Sequence, residues 1–259
     1  MAITLVEYTV LSLLKLDNIF PEKPNIMEFG ESNWYGDIPI EQLINDIQNC
    51  EDENFKHNLL TELDLIVNNP GEWFLFDVTK IFYKLIFNYQ EISAIDLHGT
   101  DKSHKFDLNY PLPIKQRFDI SINIGTGEHI FNVYQFFKTL HDVTLPKGFI
   151  IHTMPFSGWY DHGFFNFQPT FYWDLAYANN YDIITFIYTE SSPLNLIAIE
   201  QREDIINMSK DGIFSHDSML FALYQKSAID TEFTIPMQGY YAENISDESK
   251  NAWRTLRFK

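Results

Sequence analysis

Residues 118–155 constrain most strongly what this chain can fold into. Phe118–Ile124 is short, isoleucine-rich and mostly apolar, the pattern of a strand buried on both faces. Gly125, Thr126 and Gly127 break it. Ile130, Val133, Tyr134, Phe137 and Leu140 then recur at helical spacing. Pro146, Lys147 and Gly148 close the helical region, and residues 149–154 are a second apolar run. Parallel strands need such a crossover, so the order strand, helix, strand predicts a βαβ unit. The loop at residues 125–129 then lies at the carboxyl end of a strand, where open α/β sheets bind ligands.

The rest of the chain alternates in the same way. Residues 1–20 read as a helix with Leu5, Val6, Val10, Leu13, Leu14 and Leu16 on one side, stopped by Pro21 and Pro24. Residues 26–29, ending at Gly30, are a candidate first strand. Helices are expected over 39–49, 55–68 and 73–89. The last is apolar on most sides and is expected to pack on the sheet under other elements. Further strands are expected at 92–97, 105–108, 183–188 and 219–224, with a helix at 171–178. Strands alternating with helices predict an α/β fold: a mostly parallel sheet with helices on both faces. The expectation is one domain over residues 1–259, with an N-terminal helix (1–23), a helical insertion (31–72) and a C-terminal strand and tail elaboration (190–259).

Composition narrows the function classes. With 45% apolar and 16% aromatic residues, the chain is globular rather than disordered. Thirty-six acidic against 18 basic side chains give a net charge of −18, which disfavours nucleic acid and anionic membranes as partners. The one cysteine, Cys50, excludes an internal disulfide or a multi-cysteine zinc site. No run has the length of a membrane span, and the first 20 residues lack a basic start and a small-residue cleavage site. A cytoplasmic enzyme or binding protein is expected.

Phe118-Asp119 opening a strand, Glu128-His129 opening a helix and the turn Pro146-Lys147-Gly148 resemble the middle of a class I S-adenosylmethionine-dependent methyltransferase. The turn keeps one glycine and departs from the family's Lys-Pro-Gly-Gly order. Residues 123–133 and 159–169, with Met237-Gln238-Gly239-Tyr240, are similar to a bacterial subgroup of that family whose substrates are largely uncharacterised. The subgroup resemblance covers roughly residues 26–188. It implies a Rossmann-like sheet with a reversed last strand, S-adenosylmethionine as cofactor, and methyl transfer to an oxygen or nitrogen of a small molecule.

The resemblance also implies roles. Glu28 and Gly30 stand at the first glycine-rich loop, where the backbone must approach the cofactor closely. Residues 31–36 lack the alternating glycines usual there. Asp96, followed by Leu97, ends a strand; its carboxylate either accepts from both hydroxyls of a ribose or caps a turn with Gly99. Asp107 and Leu108 match the adenine loop, with an Asx-turn before proline as the alternative. Asn123, Gly125 and Glu128 complete the cofactor side.

Glu128 and His129 could line the pocket, cap a helix through its dipole, or move a proton. Five aromatics in 159–169 surround His162, Asn166 and Gln168, either as core or as an acceptor pocket of Trp159, Tyr160, Phe165, Asn166 and Gln168. His129 or His162 is the expected catalytic base. The eight histidines show neither HxH nor HExxH spacing, so no metal is expected; a cluster of His98, His129 and His162 is the unfavoured exception. The competing expectation is a non-catalytic ligand-binding protein on a degenerate methyltransferase fold. Another nucleotide-binding α/β enzyme is a third.

Overall fold

The computed structural model describes residues 1–244. The chain runs β1 (Ala2–Ile3), α1 (Leu5–Leu16), β2 (Asn25–Phe29), β3 (Asn33–Trp34), α2 (Ile40–Gln48), α3 (Glu53–Asn68), α4 (Phe74–Phe87), β4 (Glu91–Ile95) and β5 (Phe118–Ile124). A 3-10 turn (Gly127–His129) leads to α5 (Val133–Val143), β6 (Thr144–Ser157), α6 (Pro169–Asn179), β7 (Tyr181–Ser191), β8 (Leu194–Ala198), α7 (Arg202–Lys210), β9 (Ser218–Lys226) and α8 (Gly239–Asn244).

Seven strands form one sheet in the order β4-β2-β5-β6-β9-β7-β8. β4, β2, β5 and β6 are mutually parallel, whereas β9 runs antiparallel to both β6 and β7. The last strand in the chain is therefore reversed, and it sits inside the sheet. A second reversed strand, β8, pairs antiparallel with β7 at the edge. Three of the six pairings are antiparallel, so the sheet is mixed rather than mostly parallel. The arrangement is still a Rossmann-like α/β sandwich.

Alternation along the strands feeds two cores, one on each face. Ile26, Ile120, Ile122, Ile124, Ile151, Phe221 and Leu223 face α1 to α4. Met27, Phe29, Ile150, Met154, Leu220, Ala222 and Tyr224 face α5, α6 and α7. A register shift between Phe118 and Ile120 explains why Phe118 joins the second set although its parity matches Ile120.

Several elements differ from the sequence expectation. Thr4 and Glu7 form a capping box, so helix begins at Leu5, and Ala2 and Ile3 pair with β3 instead. The buried face of α1 uses Tyr8 and Leu11; Leu13 and Leu16 are exposed. Residues 105–108 are not a strand. His104 alone bridges to Ile95, and Lys105 then turns its ammonium back onto the carbonyls of Gly99 and Thr100. Asn132 caps α5 by accepting from the N–H of Gln135, so Glu128 and His129 lie in the separate 3-10 turn rather than opening the helix. β6 begins at Thr144 and carries Pro146 and Lys147 inside it. Within 190–259, β8, α7 and α8 surround the expected last strand, and residues 245–259 lie outside the described residues. No helix among the described residues is long and apolar enough to cross a membrane.

Candidate active site

The carboxyl ends of β2, β4, β5 and β6 share one edge of the sheet, because these strands are parallel neighbours. Their four loops build the site. The loop after β2 turns at Gly30, whose φ of +87° suits glycine, and its N–H donates to Ile95 O at 2.8 Å. A Cβ on Gly30 would fall 2.3 Å from both Thr126 Oγ1 and Met1 Cε, so those side chains fill its surface. Glu28 is fully buried beneath the loop. It pairs with Lys80 from α4 and accepts the Ser32 N–H at 3.0 Å.

The loops after β2 and β4 are tied together. Asp96 accepts the N–H of Glu31 at 2.9 Å and of His98 at 2.7 Å. Glu31 in turn accepts the Thr100 N–H at 2.6 Å and its hydroxyl at 3.1 Å. Leu97 beside them is exposed. Asp107 makes the Asx-turn, accepting the Asn109 N–H at 2.9 Å, with Leu108 buried next to it. Asn132 donates its backbone N–H to Asn109 Oδ1 and its side-chain amide to Asn109 O, joining this loop to the start of α5.

The loop after β5 is pinned from below. Gly125, at φ +67°, donates its N–H to Thr153 O at 2.9 Å. Asn123 accepts the N–H groups of Thr126 (3.3 Å) and Gly127 (3.1 Å), and its own amide donates to His152 Nδ1 at 3.0 Å. This framework delivers Glu128, whose side chain is 0% exposed and whose two carboxylate oxygens have no hydrogen-bond partner. Burial pushes the Glu128 carboxyl up to about 7, against smaller opposing effects of its own backbone N–H and the amino-terminal charge.

The loop after β6 folds back over that carboxylate. Trp159 and Asp161 adopt left-handed conformations, and the N–H groups of Phe164 and Phe165 donate to Glu128 O at 2.8 and 3.3 Å. His162 thereby returns to the loop after β5. Its Nε2 lies 3.7 Å from Glu128 Oε1, and His129 Nε2 lies 3.8 Å from the same atom. The two imidazoles are 4.9 Å apart between centroids, and the Trp159 ring is equally close to His162. Burial lowers the His129 pKa, and the nearby His162 charge lowers it further. Tyr172 points a buried, unpartnered hydroxyl from α6, with its pKa raised by burial and by Glu128.

The remaining residues of 159–169 spread out. Trp159 anchors its indole N–H on Ser218 O at 3.0 Å, and Asn166 donates to Gly158 O at 2.9 Å. Phe165 is half-buried against Phe131 and Phe167. Tyr160 is 81% exposed beside His216, and Gln168 is exposed at the start of α6. The structure thus brings Glu128, His129, His162 and Trp159 together, and sets Gly30, Asp96 and Gly125 on the same edge. It gives Glu28 and Asp107 local partners. Spacing-based reading found no metal signal, yet ligand atoms of Glu128, His129 and His162 lie within 4.8 Å of one another. His98 is not in that group. Glu31, Lys80, Thr126, His152 and Tyr172 went unnoticed in the sequence because their roles depend on strands that pair far along the chain.

A separate cleft of about 890 Å³ opens at the opposite edge, lined by Lys147, Asn180, Asp182 and Gln225, and contains none of these groups. No protein-family model matches this chain, and no curated protein matches it. Similar solved structures include the N-methyltransferase NodS from Bradyrhizobium japonicum, at 11% identity and a TM-score of 0.42, covering 85% of this chain and 94% of NodS. An S-adenosylmethionine-dependent methyltransferase from Mesorhizobium loti has 11% identity and a TM-score of 0.43, covering 83% of this chain and 98% of its own. TehB from Haemophilus influenzae has 10% identity and a TM-score of 0.42, covering 83% of this chain. This chain spans 62% of TehB, less than two thirds of its length. Likenesses this distant carry no argument about activity.

Proposed function

We propose that this chain is a cytoplasmic enzyme that transfers a methyl group from S-adenosylmethionine to an oxygen or nitrogen of a small-molecule acceptor. The reading is supported chiefly by one observation: the Gly30, Asp96 and Gly125 loops share the carboxyl edge with the Glu128, His129 and His162 cluster. A cofactor laid along the loops would present its methyl group toward that cluster.

In this reading Gly30 and Glu28 shape the floor under the methionine portion. Asp96, with Leu97, receives the ribose, and Asp107 and Leu108 the adenine. Asn123, Gly125 and Glu128 form the wall nearest the sulfonium. When bound, S-adenosylmethionine would supply an electrophilic methyl group, and the chain's own part would be to align the acceptor lone pair, the methyl carbon and the sulfur. Catalysis comes mainly from holding the three atoms in line. His129 or His162 takes the proton that the acceptor sheds. Trp159, Tyr160, Phe165, Asn166 and Gln168 line the acceptor side.

A second reading is favoured by the filled surface of Gly30. The Met1 side chain occupies the cradle that the cofactor's methionine portion would need. A non-catalytic binding protein on the same fold is consistent with this. Calorimetry with S-adenosylmethionine, S-adenosylhomocysteine and NAD separates the readings. At about one hundred times its dissociation constant, S-adenosylhomocysteine should stabilise the fold by roughly 2.7 kcal/mol. No binding at millimolar concentration rejects methyl transfer, and binding of NAD alone points to another nucleotide enzyme.

A further inference from the structure

We infer that Glu128, His129 and His162 form a binding site for a divalent first-row transition-metal ion at the carboxyl edge of the sheet. The donor set is two imidazole Nε2 atoms and one carboxylate oxygen. Nε2 of His129 and of His162 lie 3.8 and 3.7 Å from Glu128 Oε1. Metal–ligand bonds of about 2.1 Å place neighbouring donors about 3.0 Å apart in an octahedron and 3.4 Å apart in a tetrahedron. Closing the two distances to Glu128 requires shifts of under an ångström in histidine side chains that are 42% and 40% exposed, and all three donor atoms already lie within 4.8 Å of one another.

A second observation points to a ligand independently. Glu128 is fully buried, and both of its oxygens lack a hydrogen-bond partner. Buried polar groups are almost always satisfied, and an orphan implies a missing partner such as an ion. The chain also holds the three groups in place. Phe164 and Phe165 donate to Glu128 O, and Gly163 permits the approach, because a Cβ there would fall 3.0 Å from that oxygen. Imidazole nitrogens favour zinc, iron, cobalt or nickel over magnesium and calcium, which prefer oxygen-only sites. Three protein ligands leave positions for water or for an acceptor oxygen. A hydroxyl bound there would have its pKa lowered toward neutrality and release its proton to bulk water, relieving the histidines of that task. That last role rests on the methyl-transfer reading; binding of the ion does not.

The test uses the full chain stripped with chelator and titrated with Co²⁺, Zn²⁺ and Mg²⁺, read by calorimetry and by the visible spectrum of the cobalt form. The expected result is one Co²⁺ or Zn²⁺ per chain, undisturbed by excess Mg²⁺. Glu128→Gln, His129→Ala and His162→Ala should each weaken binding by more than about 100-fold, since even outer-shell changes cost 10–100-fold. His98→Ala should bind as the wild type does. Absence of stoichiometric binding, or wild-type affinity in the three variants, overturns the site. S-adenosylhomocysteine binding is measured on the same stripped protein. Its persistence without ion binding refutes only the metal site, and ion binding without it refutes only the methyltransferase reading.

Discussion

His152 should make the fold acid-sensitive in a defined window. It sits on β6, 1% exposed, between the rings of Phe137 and Tyr224. Burial depresses its pKa from 6.5 to about 3. Its Nδ1 accepts from the Asn123 amide, a bond only the neutral ring can make. The unfolded chain binds a proton on this side chain below pH 6.5, while the folded chain refuses it until about pH 3. Stability is therefore intact above pH 6.5 and falls as pH drops. The loss saturates near 3.5 pKa units, or about 5 kcal/mol, and reaches about 2 kcal/mol at pH 5. Glu128 and Glu7, whose pKa values are raised by burial, act in the opposite sense, gaining stability as pH falls. Their contribution cancels when the wild type is compared with His152→Gln. Urea unfolding of both proteins from pH 7.5 to 5 should show the wild type losing about 2 kcal/mol relative to the variant. A constant difference across that range, or an imidazole resonance of His152 titrating near 6.5, would refute the reasoning.

Lys80→Met leaves the buried Glu28 carboxylate without its cation and should destabilise the protein by about 3–5 kcal/mol, with recovery in the Lys80→Met, Glu28→Gln double variant; a loss below about 1 kcal/mol in chemical unfolding would contradict this. Asp96→Asn should keep the fold while weakening S-adenosylhomocysteine binding by about 1–3 kcal/mol in calorimetry, and unchanged affinity would reduce Asp96 to a loop anchor. Gly127→Ala would set a Cβ 2.8 Å from Phe136 Cε1 and 3.1 Å from Met154 Sδ; the expected cost is about 1–3 kcal/mol in urea unfolding, and wild-type stability would show that the turn yields freely.

The central βαβ unit was legible because its signal is local. Phe118–Ile124 has the composition of a strand buried on both sides, and the structure ends it at the same residues. α4 was equally plain from its apolar girth. α7 was not, since only Met208 of its nine residues is buried and no stripe marks it. β8 is a half-exposed edge strand with little to distinguish it from a loop. The false strand at 105–108 looked extended, but Lys105 and Asp107 spend their polar groups on nearby backbone. In the site, Glu128 and His129 stood out as a pair, whereas their meeting with His162 arises from β5 and β6 lying side by side. Proximity of that kind is a property of strand order, which spacing along the chain does not encode.

The bonds joining Asp96 to Glu31 and Glu31 to Thr100 have a kinetic consequence. Glu31 of one loop is fastened to both Asp96 and Thr100 of the other, so neither loop can swing away there without breaking those bonds. Opening becomes a single concerted event with a cost shared across three hydrogen bonds. A ligand resting against this edge would meet a wall in which Glu31 and Thr100 move together with Asp96.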